Sequence, residues 1–444
     1  MGCAGSKLVA AEPSSLNNPQ QPSFNKDQGD AAPLKKPRQA RLSLAGSYSQ
    51  YENMNHDGQT FDNDCGSNHL SPGAPSGVAI HYAYLSQRGH YPDQPNKANQ
   101  DAVLIRENLN GVSGQHLMGV LDGHGETGAE CAQFARAKVC DCFCSFSIIL
   151  SFFFPLINSY NNLLSTYIST LFSSVKLPLI LSGDSKLRTD PAQAMHSALV
   201  ATNDQLHKAP IDDTLSGTTA CLALLQGRDL YVANVGDSRA VIAQKPKKKP
   251  NTATAVTEAG DADNIPAATK DTTSNLIALE LTTDQTPFRE DECDRVQRAG
   301  ARVMTLDQME GLKERGVRCW TNEADCDGDP PRLWSPTGTY PGTAFTRSIG
   351  DSVAESIGVF AEPEITEIQI SNQMPFVILA SDGIWEFVSS QRAVDIVAGC
   401  TDPAEAAQAL VSTAYKAWLK KETRTDDISV VVMFFSHEDG EADS

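Results

Sequence analysis

The chain has 444 residues, of which 40% are hydrophobic and 20% charged; this is long enough to bury a sizeable core and reads as soluble and globular. Its formal net charge of −19 repels nucleic-acid phosphates, so nucleic-acid binding is set aside. Its 11 cysteines follow no basic-then-apolar leader, so they read as reduced thiols in a cytoplasmic setting, not as a secreted disulfide framework.

Residues 1–76 are rich in Ser, Asn, Gln, Pro and Gly without apolar periodicity, and read as a disordered tail. Met1-Gly2-Cys3-Ala4-Gly5-Ser6 fits the N-myristoylation pattern, with Gly2 as acceptor and Cys3 as a candidate for palmitoylation. One acyl chain holds a protein to a membrane only marginally, so Cys3 and the basic cluster Lys35-Lys36-Pro37-Arg38 are candidate second signals. The expectation is a cytoplasmic, membrane-associated monomer; an ordinary disordered leader is the alternative.

The globular part is expected over 77–436. Strands are predicted at Val78–Tyr84, Leu117–Leu121, Ala220–Leu225, Leu230–Val235, Ala240–Ala243, Phe376–Ala380 and Ile428–Phe435. Helical periodicity is predicted at Thr127–Lys138, Pro191–His207, Glu290–Ala299 and Pro403–Lys421. Groups of strands separated by helices indicate an α+β fold with antiparallel sheets. Two stretches interrupt it. Residues 245–275 are poor in apolar side chains and read as a flexible insertion. Residues 139–175 are strongly apolar with no clear period, and the first block is shorter than the roughly 20 residues that span a bilayer. A membrane-dipping segment, a buried hairpin and translated intron sequence compete there, and the Phe, Ser, Leu and Ile bias favours the intron. Residues 437–444 form an acidic tail.

Chemistry is marked by carboxylates at strand ends. Asp122-Gly123-His124-Gly125 follows an apolar run, as does Asp382-Gly383. Asp426-Asp427 precedes a run, Asp101 precedes Ala102–Ile105, and Gly236-Asp237-Ser238-Arg239 lies between two runs. Carboxylates gathered at one sheet edge repel each other and are costly to bury, and a divalent cation removes both penalties. Ligation by oxygen alone favours Mg²⁺ or Mn²⁺ over zinc. Each fragment has a plainer reading: Asp-Gly is a common turn, and Gly236–Arg239 reads equally as a salt-bridged hairpin.

The order of these segments resembles the PP2C (PPM) family of metal-dependent serine/threonine phosphatases, especially its plant and protist members. The resemblance runs through Lys97-Ala98-Asn99-Gln100-Asp101, Val120–Gly125, Ser216-Gly217-Thr218-Thr219, Ala233–Ala240, Leu281–Pro287, Thr346–Asp351, Ala380–Glu386 and Thr425–Ser429. It implies two packed antiparallel sheets flanked by helices, with two Mg²⁺ or Mn²⁺ ions, and a weaker third, in a cleft at one edge. It implies that Asp122 bridges two ions, that the Gly123 carbonyl ligates one, and that Asp382 and Asp426 complete the other. Asp101 then holds metal-bound water, Asp237 serves the third ion with Asp382, His124 is the general acid and Asp351 a helper. The implied reaction is hydrolysis of phosphoserine and phosphothreonine on proteins by a metal-bridging hydroxide. Animal members carry an arginine where this chain has Asn96, so Lys97 or Arg88 is expected to grip the substrate phosphate; Gln100 stands where they have glutamate. An inactive membrane-tethered adaptor and a different metallohydrolase on the same fold are the alternatives.

Overall fold

The computed structural model describes residues 63–71, 78–144, 187–246, 275–318, 320 and 329–436. Gly2, Cys3, the apolar stretch from 145 to 175, the insertion from 247 to 274 and the acidic tail lie outside the described residues.

Two antiparallel sheets carry the fold. The first has six strands in the order β1 (Asn63–Leu70), β2 (Ala79–Gln87), β17 (Ile428–Ser436), β16 (Phe376–Ala380), β9 (Arg239–Gln244), β10 (Ile277–Glu280). The second has five, in the order β15 (Glu364–Gln369), β8 (Asp229–Val235), β7 (Ala220–Gln226), β4 (Gln115–Leu121), β3 (Ala102–Arg106). Their inner strands read as nearly unbroken apolar runs because each sheet is covered on both faces. In β17, Val431, Met433 and Phe435 enter the core between the sheets, while Ile428, Val430 and Val432 face a helical layer. In β7, Cys221, Ala223 and Leu225 take the inner face, and Ala220, Leu222 and Leu224 the outer. Successive side chains point to opposite faces, so a strand buried on both must be apolar throughout.

The five-stranded sheet is covered by α1 (Gly128–Cys144) and α2 (Pro191–Leu206). The six-stranded sheet is covered by the helices later in the chain, including α8 (Pro403–Lys421). Asp190 and Asp402 cap α2 and α8, each followed by proline at the first helical position, which sets both starts locally. A smaller lobe carries its own core of Cys293, Val296, Val303, Leu333 and Phe345. It is built from α3 (Glu290–Arg298) and the sheet β11 (Arg302–Met304), β12 (Arg332–Trp334), β13 (Pro341–Thr343). Among the described residues no helix is long and apolar enough to cross a membrane.

Two boundaries differ from the sequence reading. Residues 63–70, placed in the tail, form edge strand β1 on β2. Among the side chains described in that strand only Leu70 is buried; an edge strand needs backbone partners rather than apolar alternation, so periodicity missed it. Helix α1 continues past Lys138 to Cys144, and Val139 and Cys140 pack into the core against the five-stranded sheet. The first residues of the apolar stretch are therefore part of the helix.

Candidate metal centre

Sheet pairing brings the aspartates together. Asp101 lies just before β3 and Asp122 just after β4, and the pairing of Ala102 with Leu121 puts both at one edge of the five-stranded sheet. Asp382 follows β16 and Asp426-Asp427 precede β17, next to the paired residues Ala380 and Val430. Asp237 sits in the turn from β8 to β9, whose Arg239 pairs with Ala380. Ser381 joins the two sheet edges by donating from Oγ to Asp101 Oδ2 at 2.9 Å.

The electrostatics show how tightly these groups converge. Burial, followed by repulsion from Asp101, Asp382, Asp426 and Asp237, lifts the Asp122 carboxyl far above its ordinary range. Burial, then Asp237 and Asp426, lift Asp382 in the same way, and Asp122 is within hydrogen-bonding reach of it. Asp101 is 4% exposed and its Oδ1 has no hydrogen-bond partner; burial and Asp427 push its carboxyl up to about 7. An unsatisfied buried carboxylate oxygen costs more than the ~1–3 kcal/mol of a neutral group.

The donor set fits a hard divalent cation, which would satisfy Asp101 Oδ1 and offset the repulsion between Asp122 and Asp382. Among the described residues no three His, Cys, Asp or Glu side chains close on one point. Gly123 lies hard against backbone: a Cβ there would collide with the Gly128 and Gln100 carbonyl oxygens. Any larger residue would push the Asp122-Gly123 turn away from its neighbours.

The two adjacent aspartates have different partners. Asp427 is buried and accepts from the backbone amides of Gly89 (2.6 Å, on Oδ1) and Gln100 (2.8 Å, on Oδ2). Asp426 accepts on Oδ1 from the Tyr91 hydroxyl at 2.6 Å and from the Asp427 amide at 2.9 Å. Asp427 thus pins the loop before β3, and its two oxygens are occupied by protein. Gln100, at the position of an expected water contact, instead donates from Nε2 to the Gly125 carbonyl at 2.7 Å.

His124 lies on a ribbon of three two-residue strands: β5 (Gly123–His124), β6 (Gly217–Thr218) and β14 (Ile349–Gly350). Its Nε2 lies 2.6 Å from Asp351 Oδ2, which also accepts from Ser348 Oγ at 2.7 Å. Gly217 is paired with His124 on one side and Gly350 on the other, and a Cβ on it would strike Asp351 and His124. Asp351 is 1% exposed and holds a left-handed backbone with φ of 53°, which aspartate tolerates better than most residues. Burial alone would lower the His124 pKa, but Asp351, with a contribution from Asp237, outweighs it and the net direction is up. The Phe345 ring packs on the imidazole at 4.4 Å between centroids.

Of the two expected phosphate-binding cations, Arg88 directs Nη1 to the carbonyls of Pro95 (2.7 Å) and Lys97 (2.8 Å), so it braces the loop. Lys97 sets its ammonium 4.0 Å from the centroid of the Tyr91 ring. Arg239 makes the salt bridge expected of a plain turn, with Nε and Nη2 on Asp284 at 2.9 and 2.7 Å, while Asp237 still acts on Asp122 and Asp382. Sequence reasoning missed Tyr91 and Ser381: neither is acidic, and both matter only through neighbours distant in sequence.

Residues 158–422 match the family model Protein phosphatase 2C. That range holds Asp237, Asp351 and Asp382; the strand pairings above bring Asp101, Asp122 and Asp426 to them. The chain is 41% identical over 352 residues to "Probable protein phosphatase 2C 35" of Arabidopsis thaliana, covering 79% of this chain and 83% of that protein. It is 32% identical to "Probable protein phosphatase 2C 73" of the same plant, covering 76% and 75% respectively. Among solved structures, a serine-threonine phosphatase 2C from Toxoplasma gondii matches with a TM-score of 0.53 at 18% identity, covering 84% of this chain and 99% of that one; at that identity the likeness speaks for the fold. The fold, the gathered aspartates and these relatives together lead to one conclusion: the chain belongs to the protein phosphatase 2C family of metal-dependent serine/threonine phosphatases.

Proposed function

We propose that the chain hydrolyses phosphoserine and phosphothreonine on proteins at this aspartate-lined edge. The observation that carries the reading is the convergence of Asp122 and Asp382, within hydrogen-bonding reach of each other, beside the unpartnered Asp101 oxygen. Asp122, Asp382, Asp426 and the Gly123 carbonyl would hold two Mg²⁺ or Mn²⁺ ions, with Asp101 on their water and Asp237 at a weaker third position. When bound, such ions supply the Lewis acidity that activates water and neutralises phosphoryl charge.

The protein's own groups do the rest. Asp351 engages His124 Nε2 and favours the protonated ring. With Nε2 occupied, Nδ1 carries the proton for the seryl or threonyl oxygen, a poor leaving group that needs one. Ser348 and the absence of a side chain at Gly217 keep that pair in register. Lys97 provides the positive charge at the rim for substrate phosphate.

Release of phosphate from a phosphopeptide by the full chain, dependent on Mn²⁺ and abolished by EDTA, tests this. Release without added metal and unaffected by EDTA would overturn the metal-centred reading; no release under any condition would favour an inactive adaptor. The Gly2-Cys3 motif supports acylation and a membrane address; unchanged membrane partition of Gly2→Ala in cells would remove that part.

A further inference from the structure

We propose that Tyr91 is a positioning residue that ties Asp426, read above as a metal ligand, to Lys97, so that metal affinity and phosphate affinity depend on one side chain. The proposal rests on the phosphatase reading and adds a residue outside the motifs that carry it.

Tyr91 belongs to the loop between β2 and β3 and is 9% exposed. Its hydroxyl donates to Asp426 Oδ1 at 2.6 Å. The backbone beside it is clamped to the same segment: the Thr425 amide donates to the His90 carbonyl at 3.0 Å, and the His90 amide to Thr425 Oγ1 at 2.8 Å. With the Asp427 amide as second donor to Oδ1, the Asp426 carboxylate has a fixed plane and cannot turn about its last torsion without losing both hydrogen bonds. Losing such an outer contact to a ligand typically costs about 10–100-fold in metal affinity.

The face of the same ring sits under the Lys97 ammonium at 4.0 Å. Lys97 has a fixed backbone: its amide donates to the Gln94 carbonyl at 3.0 Å, and its carbonyl accepts from Arg88. Tyr91 therefore separates a flexible cation from Asp426, with which it would otherwise pair. The ring keeps the ammonium at the rim by a cation–π contact, and the hydroxyl keeps the carboxylate turned toward the cleft. Two functions of one side chain can be separated by substitution.

Mn²⁺ binding to the full chain is measured by calorimetry, and inorganic phosphate is titrated as a competitive inhibitor of phosphopeptide hydrolysis. Tyr91→Phe keeps the ring and loses the hydroxyl; Mn²⁺ affinity is expected to fall about tenfold, with phosphate inhibition unchanged. Tyr91→Leu loses both, and both affinities fall. Lys97→Met weakens phosphate inhibition and leaves Mn²⁺ binding intact. Thermal melts confirm that each variant is folded, and the near-isosteric Phe variant preserves the test should Leu misfold. Wild-type Mn²⁺ affinity in Tyr91→Phe, or unchanged phosphate inhibition in folded Tyr91→Leu, overturns the proposal. A wild-type chain that binds no Mn²⁺ brings down the metal-centred reading and this proposal with it.

Discussion

Two clusters of acidic residues in this molecule behave in opposite ways. At the sheet edge, Asp101, Asp122, Asp237, Asp382 and Asp426 act mainly on each other, and Asp101 is pushed up to about 7. Near the smaller lobe, Glu292 is equally buried yet accepts from Arg295 (2.6 Å), Arg347 (2.9 Å) and Thr346 (2.6 Å). Burial would raise Glu292, but these donors hold it at about 2. Glu364 accepts in turn from Arg289 at 2.7 Å and Arg347 at 3.3 Å, and Phe360 packs beneath the Arg295 guanidinium at 3.9 Å. The second cluster is complete in protein atoms and holds α3 to the Thr346–Asp351 segment. In the first, the charges that act most strongly on Asp101, Asp122 and Asp382 are other carboxylates. A carboxylate's surroundings, rather than its burial, decide whether it stabilises the fold or waits for a cation.

The contrast breaks if the same chemical change has the same effect in both clusters. The largest effect expected is on turnover: Asp122→Asn should lower Mn²⁺-dependent phosphopeptide hydrolysis about 10³-fold or more, measured against wild type at saturating Mn²⁺. Next, Glu292→Gln should destabilise the fold by about 3 kcal/mol, because it leaves buried guanidinium charge unmatched; chemical denaturation checks this. Asp122→Asn should instead stabilise the metal-free protein, since it removes a repelling charge. Destabilisation there would erase the distinction.

The His124 pair gives a third test. Asp351→Asn should slow phosphopeptide hydrolysis about 10²-fold while p-nitrophenyl phosphate, with its good leaving group, is slowed much less. Equal loss on both substrates would remove the proton-donating role. The smallest effect is on pH dependence. Asp101 has a raised folded-state pKa, so its contribution to stability is full below the unfolded value near 4 and is lost as pH rises towards about 7. His124 and His207, both raised by neighbouring carboxylates against the pull of burial, have the same sign, while Glu292 titrates well below this window. The melting temperature of metal-free protein should therefore fall from pH 5 to pH 7.5, and the increase on adding Mn²⁺ should grow over the same range. A constant Mn²⁺ increment would count against the carboxylate cluster as its origin.

Much of this architecture is legible in the amino-acid order. Helix α8 spans Pro403–Lys421 as its periodicity predicts, and β16 spans Phe376–Ala380 as its apolar run predicts. In the two large sheets the strands left unseen, β1, β10 and β15, are edges, where mixed sequences such as Glu364–Gln369 pair through the backbone and need no apolar pattern. The aspartates were visible as acidic marks at strand ends, and family resemblance supplied their division of labour.

What sequence alone determined is local: which apolar runs become strands, which periodic stretches become helices, and that acidic residues sit where strands end. Family resemblance preferred Asp426 to Asp427, and the tertiary structure supplied the physical difference, Asp427 being bonded to the Gly89 and Gln100 amides and Asp426 to Tyr91. Tertiary structure alone turned Arg88 into a loop brace and set Asp351 against His124. The reason is physical: a carboxylate's role depends on the donors and charges within a few ångströms of it, and here those neighbours stand hundreds of residues away along the chain, brought close only by sheet pairing.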